Sequence, residues 1–349
     1  MGKSNYTQNR IAWIDWAKTI LIVLVCVGHF NPPEVQKQLI WGCHMPAFFM
    51  ISGYLYHRHG ALRTLYSFAV PMLFYTAIVF GVHIVQEIVQ NGYWNYQLDL
   101  GHLWHRVFEQ FFIRNADNPY GIVPVIGIWF VVALIVCRFL AGDIKFFSFT
   151  LRYRYIALAV LLIWLTIEPL IWNYIPIKDV KLYYAVYAMP FFLVGYIMKD
   201  LKISVNDIHP IILFVCVTIY IFLSLSLPIF NMIDYQCGPT YLVFFVNAIC
   251  GTIVLFWSCS RLPNSFIVKT FSVGTLLILT MHMPLVFFIR PIFHLLGITP
   301  VDSYLGQSLV PWLEGIIVMA LLYYPIVLLN KYCPLLLGKL PKKNRKRDE

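Results

Sequence analysis

The chain has 349 residues, of which 60% are hydrophobic, 17% are aromatic and only 12% are charged, and its formal net charge is +10. Soluble domains usually carry about 25% charged residues, so this composition excludes a water-soluble globule, a disordered chain and, despite the positive charge, a nucleic-acid-binding domain. Only helices and closed barrels span lipid, and long unbroken apolar runs such as 156–167 and 210–223 favour helices. We therefore expect an all-α, polytopic membrane bundle.

Transmembrane helices are expected to account for most of the chain. A helix needs roughly 20 mainly apolar residues to cross the hydrocarbon core. About ten segments meet this criterion, at 11–30, 39–56, 64–89, 122–140, 155–173, 182–198, 209–230, 239–258, 272–293 and 310–330. The longest outer connection, 90–121, has apolar residues at helical spacing, which predicts an amphipathic interfacial helix that serves as an anchor or a lid.

The distribution of basic residues predicts how these helices are oriented. With ten spans and a cytoplasmic N-terminus, most of the 26 Lys and Arg residues fall in cytoplasmic segments, as the positive-inside rule requires. We therefore expect both termini in the cytoplasm, one membrane domain over 1–338 and a basic tail over 339–349. The tail is expected to contact anionic lipid of the bilayer, and no nucleic acid is expected as a partner.

The first predicted helix carries several ionisable residues. Such groups are costly inside a membrane and normally face a cavity or a partner. At 100° per residue, Asp15, Lys18, Ile22 and His29 lie on one side of the helix, which predicts a polar stripe through the bilayer. The alternative is that Arg10 and Lys18 extend to the interface while Asp15 pairs with Lys18.

Asp15 and His29 are too far apart to form a hydrogen-bonded pair, because their spacing corresponds to about 21 Å on a continuous helix. If His29 acts as a base, the group that orients it is therefore expected on another helix. Glu168 and Glu314 are the acids predicted at a similar depth. Either acid is equally compatible with a position at the outer interface.

Later spans carry further polar or amphipathic candidates. His44 lies near the outer end of the second span, and Ser52 lies towards its inner end. Asn247 and His282 lie near the middle of the eighth and ninth spans, and Trp129 belongs to the fourth. Each residue has a structural alternative, such as a histidine satisfied within the protein, a hydrogen bond between helices or aromatic packing.

Motifs of several enzyme classes are missing from the sequence. It contains no G-x-x-x-x-G-K-S/T phosphate loop, no H-E-x-x-H zinc motif and no G-x-S-x-G nucleophile elbow. His29, His44 and His282 are possible metal ligands, but no carboxylate or thiolate cluster accompanies them in the sequence, so no metal is expected.

The chain resembles a known family in its first two spans. The pattern Arg10-x4-Asp15-x2-Lys18, followed by Gly28-His29 and then by His44-Met-Pro-Ala-Phe-Phe-Met-Ile-Ser-Gly-Tyr54, resembles the membrane acyltransferase family 3. Within it, the pattern is most similar to the fucose 4-O-acetylase-like sugar O-acetyltransferases. The segments 128–130 and 280–285 are shorter matches to the same group.

This resemblance implies an enzyme of the cell membrane that moves an acyl group, usually acetyl, from cytoplasmic acyl-CoA to a sugar hydroxyl. The acceptor would be part of a lipid-linked or cell-surface glycan. Arg10 and His29 match functional residues of the family, Asp15 matches the acid between them, and Lys18 stands where many members have Arg. On this interpretation His29 is a general base.

The remaining candidates are assigned by chemistry. Acyl-CoA carries several phosphates, so basic residues are expected to bind it, namely Arg10, Lys18, Arg58 and Arg63. Substrate contacts are expected from His44, Ser52, Trp129, Glu168, Asn247 and His282. The alternative function is a transporter or exporter of a small polar solute, although we see no internal repeat between the two halves of the chain.

Overall fold

The structure is a computed structural model that describes residues 11–57, 61–91, 112, 127–142, 152–297 and 304–340. Every regular element in these residues is a helix, which confirms the expected all-α class. The α-helices are α1 (Ala12–His29), α2 (Glu34–Trp41), α3 (His44–Tyr54), α4 (Ala61–Asn91), α5 (Ile128–Gly142), α6 (Arg154–Ile171), α7 (Tyr184–Asp200), α8 (Pro210–Ser226), α9 (Tyr241–Ser260), α10 (Phe266–Val273), α11 (Thr275–Leu295) and α12 (Tyr304–Tyr332). Single 3₁₀ turns lie at Trp172–Tyr174, Lys181–Tyr183, Val205–Asp207 and Pro334–Leu337.

Within the described residues, seven helices are long and apolar enough to cross a membrane, namely α1, α4, α6, α7, α9, α11 and α12. Helices α5 and α8 are apolar but shorter. Large apolar side chains cover the outside of the bundle, and only 11% of the most apolar window of α6 is buried. A surface of this kind requires lipid, so the protein is a multi-pass membrane protein. The total of ten spans stays a prediction.

The prediction of one continuous helix over 39–56 is wrong, because the chain breaks at Gly42 and Cys43 between α2 and α3. Cys43 leaves the helical region with φ −142°. A Cβ on Gly42 would lie 2.8 Å from Nδ2 of Asn247 and 3.1 Å from Oγ of Ser224, so a larger residue would displace these side chains of α9 and α8. The predicted span 272–293 likewise begins in α10 and is interrupted at Gly274.

Helix α1 lies at the centre of the bundle and packs against α3, α9, α10, α11 and α12. Its apolar residues Ala17, Leu21 and Cys26 are completely buried. Because neighbours surround α1, its polar side chains face protein or internal cavities instead of lipid, as the cost of burying such groups requires.

Helices α3 and α7 cross with their backbones in contact through two glycines. A Cβ on Gly53 would lie 1.9 Å from the carbonyl oxygen of Phe192, and a Cβ on Gly195 would lie 1.9 Å from that of Met50. Small residues permit such approaches between membrane helices. This crossing fixes the position of α3, which carries His44 at one end and Ser52 towards the other.

Two features define the ends of the bundle. At one end Arg154 of α6 forms an ion pair with Asp200 of α7; this is the Lys18 end, and the positive-inside rule predicts that it faces the cytoplasm. At the opposite end Glu168 of α6 accepts a hydrogen bond from Tyr187 of α7. This is the His29 end.

Candidate active site

A cavity of about 270 Å³ lies at the Lys18 end, beside the N-terminal half of α1. We call it the Lys18 cavity. Lys18 and Arg138 line it, together with apolar side chains from α1, α3, α5 and α11. Nε of Arg138 donates a hydrogen bond of 3.2 Å to Oγ of Ser52, which also lines the cavity. Two cations in a mainly apolar cavity have the chemistry to bind an anionic group that has an apolar extension.

A second cavity, of about 250 Å³, lies at the His29 end. We call it the His29 cavity. His29 and His44 line it, and Trp129 of α5 and Lys37 of α2 contribute further walls. Phe230–Ile233, in the segment that joins α8 to α9, also line it.

The two cavities lie end to end along α1. Three residues line both of them, namely Val25, Met45 and Leu279, and we call these the junction residues. All three are buried apolar side chains. The junction residues therefore separate the Lys18 cavity from the His29 cavity.

Three histidines at this end share one hydrogen-bond arrangement, in which Nδ1 contacts the backbone carbonyl four residues earlier. The distances are 2.9 Å from His29 to Val25, 2.7 Å from His44 to Ile40 and 3.1 Å from His282 to Ile278. A carbonyl oxygen only accepts, so Nδ1 donates in each case and Nε2 of the neutral ring carries the lone pair. The arrangement therefore prepares Nε2 to accept a proton.

The expectation that a group on another helix orients His29 is wrong. The carbonyl of Val25, on α1 itself, holds the ring. Glu314, one of the two acids considered, instead accepts two hydrogen bonds from Arg290, of 2.9 and 3.3 Å. Glu168 accepts from Tyr183 and Tyr187. A backbone carbonyl of the same helix can orient a histidine without any carboxylate. The positions of the charged residues in the sequence do not predict such a bond.

Comparison with known proteins identifies the chain. The model of a protein family described as an acyltransferase domain, the acyltransferase 3 family, matches residues 11–331. The chain belongs to the acyltransferase 3 family. It is therefore a membrane acyltransferase, and the match extends from just before α1 to the last turn of α12. No curated protein and no solved structure matches the chain.

His282 of this acyltransferase packs against His29, with 5.2 Å between the ring centroids. It is fully buried and does not line the His29 cavity. Its Nε2 has no hydrogen-bond partner among the residues that the structure describes. His282 therefore forms the support behind the ring of His29.

Asp15 does not line either cavity, although the helical stripe predicted it beside Lys18. Its side chain is 6% exposed, and Oδ1 accepts a hydrogen bond of 2.6 Å from Oγ of Ser272 on α10. The residues of the predicted polar stripe on α1 therefore have two different roles. Lys18, Ile22 and His29 line the two cavities, whereas Asp15 links α1 to α10.

Two further predicted residues, Asn247 and Arg63, do not line these cavities. Asn247 is fully buried and exchanges hydrogen bonds of 3.2 and 3.3 Å with Ser224, which links α8 to α9. Arg63 has an exposed side chain on the first turn of α4. Arg10, Arg58, most of the connection 90–121 and the tail after residue 340 lie outside the described residues.

Sequence analysis did not single out Arg138 as a candidate for the site. A signal for it was present, because Phe130, Val131 and Leu134 line the same cavity at helical spacing before Arg138. An arginine that continues the inward face of a helix is a candidate for the site. The contribution of Phe230–Ile233 had no such signal, because these residues belong to an irregular connection.

Proposed function

We propose that the acyltransferase moves an acetyl group from acetyl-CoA to a sugar hydroxyl of a lipid-linked or cell-surface glycan, in the manner of the fucose 4-O-acetylase-like subgroup. The enzyme would act in the cell membrane, with both termini in the cytoplasm. One observation carries the proposal, namely the pair of cavities that brings Lys18 and Arg138 to one end of α1 and two imidazoles, beside Lys37, to the other.

The Lys18 cavity has the chemistry that the donor requires. Acetyl-CoA supplies an activated thioester at the end of a long arm and phosphates at the other end. In this proposal Lys18 and Arg138 contact phosphate oxygens, since cations bind such oxygens with strong, charge-assisted hydrogen bonds. The apolar lining accommodates the arm. Arg10, Arg58 and Arg63 are proposed to extend the basic surface around the entrance.

His29 is proposed as the general base. Its Nε2 accepts the proton of the sugar hydroxyl as the oxygen attacks the thioester carbonyl carbon. A C–O bond forms, the C–S bond breaks, and the proton passes from His29 to the departing sulfur. The bond from Nδ1 to Val25 keeps the ring in the required tautomer during both proton transfers.

Other residues of the His29 cavity are proposed to position the acceptor. His44 and Trp129 line the same space with a second imidazole and an indole ring. Arg138 holds Ser52 at the Lys18 end, so we propose that Ser52 contacts the donor side of the reaction. Asp15 and Asn247 stabilise the scaffold through Ser272 and Ser224.

Transfer of radiolabelled acetyl groups tests the proposal. The purified protein in proteoliposomes is given [14C]acetyl-CoA and extracted membrane glycans, and an ester-linked label is expected on the glycan. In cells, mass spectrometry of surface glycans with and without the gene should show a shift of one acetyl group. A mass shift of one succinyl group would instead identify succinyl-CoA as the donor. Solute flux into the vesicles with no covalent product would support the transporter instead.

His29→Ala is the test variant, and Glu34→Gln is its matched control at the same end of the bundle. Glu34 lies in the first turn of α2 and does not line either cavity. Loss of transfer in His29→Ala but not in Glu34→Gln is expected. Equal transfer by both variants would overturn the assignment of the base.

A further inference from the structure

Lys37 is the only Lys or Arg among the described residues that line the His29 cavity. It lies on α2, outside the helices that are long enough to cross a membrane, and its side chain is half-buried. The same lining contains no Asp or Glu within the described part of the chain. The proposed acceptor cavity therefore contains a positive charge to which neither the base nor the ring contacts assign a role.

Helix geometry and aromatic packing set the position of Lys37. Lys37 and Trp41 are four residues apart on α2, so they share one face of the helix. Nζ of Lys37 lies over the Trp41 ring, 4.4 Å from its centroid, in a favourable cation–π contact. The Trp41 ring packs closely on Gly28, where a Cβ would lie 2.9 Å from Nε1 of Trp41. Because Gly28 precedes His29 in α1, these contacts hold the ammonium at the wall of the cavity that contains the base.

The charge of Lys37 is not neutralised by an acid of the described residues. No ion pair joins Lys37 to an Asp or Glu in that part of the chain. Glu34, the nearest acid in sequence, lies on the same helix, but its side chain is exposed and does not line the cavity. An ammonium carries three donors, so Lys37 has hydrogen-bonding capacity for an anionic ligand.

The other polar residues of the His29 cavity suit a sugar. Asn31, Asn231 and Trp129 are among the lining residues. Amides both donate to and accept from hydroxyl groups, and a mainly apolar or aromatic wall with a few polar groups is typical of small-molecule sites. Such a lining with one cation favours a sugar that carries a negative charge over a neutral sugar.

The proposed reaction gives a second reason to expect an anion at this position. When His29 accepts the hydroxyl proton, it becomes a cation in the cavity that already contains Lys37. The two residues are close enough to interact electrostatically, and like charges repel more strongly where the dielectric constant is low. An anionic group bound to Lys37 would offset this repulsion, because it attracts both cations.

We propose that Lys37 binds an anionic group of the acceptor, next to the hydroxyl that is acetylated at His29. The inference rests on the proposed function and narrows its acceptor to a negatively charged sugar. Two sources supply this chemistry, namely the carboxylate of a uronic acid residue and the phosphate of a lipid-linked sugar. Lys37 is thus a specificity residue and takes no part in proton transfer.

Acceptors that differ in charge test the proposal. Methyl glucuronide and glucose 1-phosphate are each compared with methyl glucoside, and the galactose series is measured in parallel, with kcat/KM determined from transfer of [14C]acetyl groups. In the wild type, an anionic acceptor is expected to exceed its neutral counterpart at least about tenfold, as one charge-assisted hydrogen bond implies. Preference for the uronide identifies an acidic sugar, and preference for the 1-phosphate identifies a lipid-linked one. A ratio near one for every pair would overturn the proposal.

Substitution of Lys37 tests whether this residue causes the preference. Lys37→Gln should bring the ratio close to one by lowering kcat/KM for the anionic acceptor alone, and Lys37→Arg should retain most of the ratio. Lys178→Gln is the matched control. Lys178 is half-buried at the same end of the bundle, with Nζ 5.6 Å from the centroid of the Trp172 ring, but it does not line the His29 cavity. Equal losses for both acceptors in Lys37→Gln, or the same loss of preference in Lys178→Gln, would overturn the proposal.

A binding measurement separates this proposal from the proposed function. The Kd of methyl glucuronide, glucose 1-phosphate and methyl glucoside is measured with saturating CoA present, so that the donor site is occupied. The wild type should bind an anionic sugar more tightly than the neutral one, and Lys37→Gln should not. Equal Kd values in the wild type overturn the role of Lys37. Selective binding that depends on Lys37, without any acetyl transfer, supports this role and counts against the acetyltransferase assignment alone.

Discussion

Arg138 provides the sharpest test of the donor site, because sequence analysis gave it no role and the geometry gives it a specific one. Its guanidinium is held by Ser52 in the Lys18 cavity. If it contacts a phosphate of acetyl-CoA, Arg138→Gln removes one charge-assisted hydrogen bond, a loss of about 1.5–3 kcal/mol. At 1.4 kcal/mol per factor of ten, KM for acetyl-CoA should rise roughly 10- to 150-fold.

The assay measures release of free CoA with a thiol reagent at several donor concentrations. Acetyl-pantetheine, which has the thioester and arm but no phosphate, is used in parallel. With this truncated donor, Arg138→Gln and the wild type should behave alike. Arg261→Gln serves as the control, because Arg261 is a cation at the end of α9 that does not line the cavity and donates to the carbonyl of Asn206.

Equal losses with both donors would refute the reasoning, since they would show that Arg138 supports the fold or the reaction without contacting phosphate. A loss in Arg261→Gln as large as that in Arg138→Gln would show that the effect comes from the overall charge of this end of the bundle. Only a loss confined to Arg138→Gln with the full donor supports the assignment.

Further predictions concern the base, the helix crossing and Asp15. His29→Ala should lower kcat by about 10²- to 10⁴-fold while leaving the Kd of CoA unchanged, as measured by single-turnover kinetics and equilibrium binding; a changed Kd with normal kcat would contradict the base. Gly195→Ala should lower the free energy of unfolding by about 1–3 kcal/mol in thermal denaturation, because its Cβ would lie 1.9 Å from the carbonyl oxygen of Met50. Gly81→Ala, where a Cβ meets nothing within 4 Å, should have little effect, and similar results for both would argue against the crossing. Asp15→Ala and Ser272→Ala should destabilise non-additively, whereas additive losses would disprove their coupling.

The central role of α1 is predictable from the sequence because helical geometry is regular. Once the first apolar run is identified as a helix, the 100° step places Lys18, Ile22 and His29 on one face, and these residues do line the cavities. The same rule does not reveal which neighbour each residue meets. For example, Asp15 bonds to Ser272 of α10, and no local sequence pattern predicts this contact.

The break between α2 and α3 was not predicted from the local sequence. At the break, Gly42 lies close to Asn247 and Ser224, which are distant in sequence. Glu168 was predicted as a substrate contact, yet it lies in a separate cavity because Tyr183 and Tyr187 hold it there. Long-range packing decides both outcomes, and helical periodicity does not encode it.

The most direct test of the account is whether transfer occurs through the two cavities across the membrane. Inverted membrane vesicles that contain the acceptor in their lumen are given [14C]acetyl-CoA outside, so that donor and acceptor lie on opposite sides. We predict labelled glycan in the lumen and its loss in Leu279→Trp, which fills the space between the junction residues. Labelled product that forms only when donor and acceptor share one side, or that forms normally in Leu279→Trp, would contradict a passage along α1.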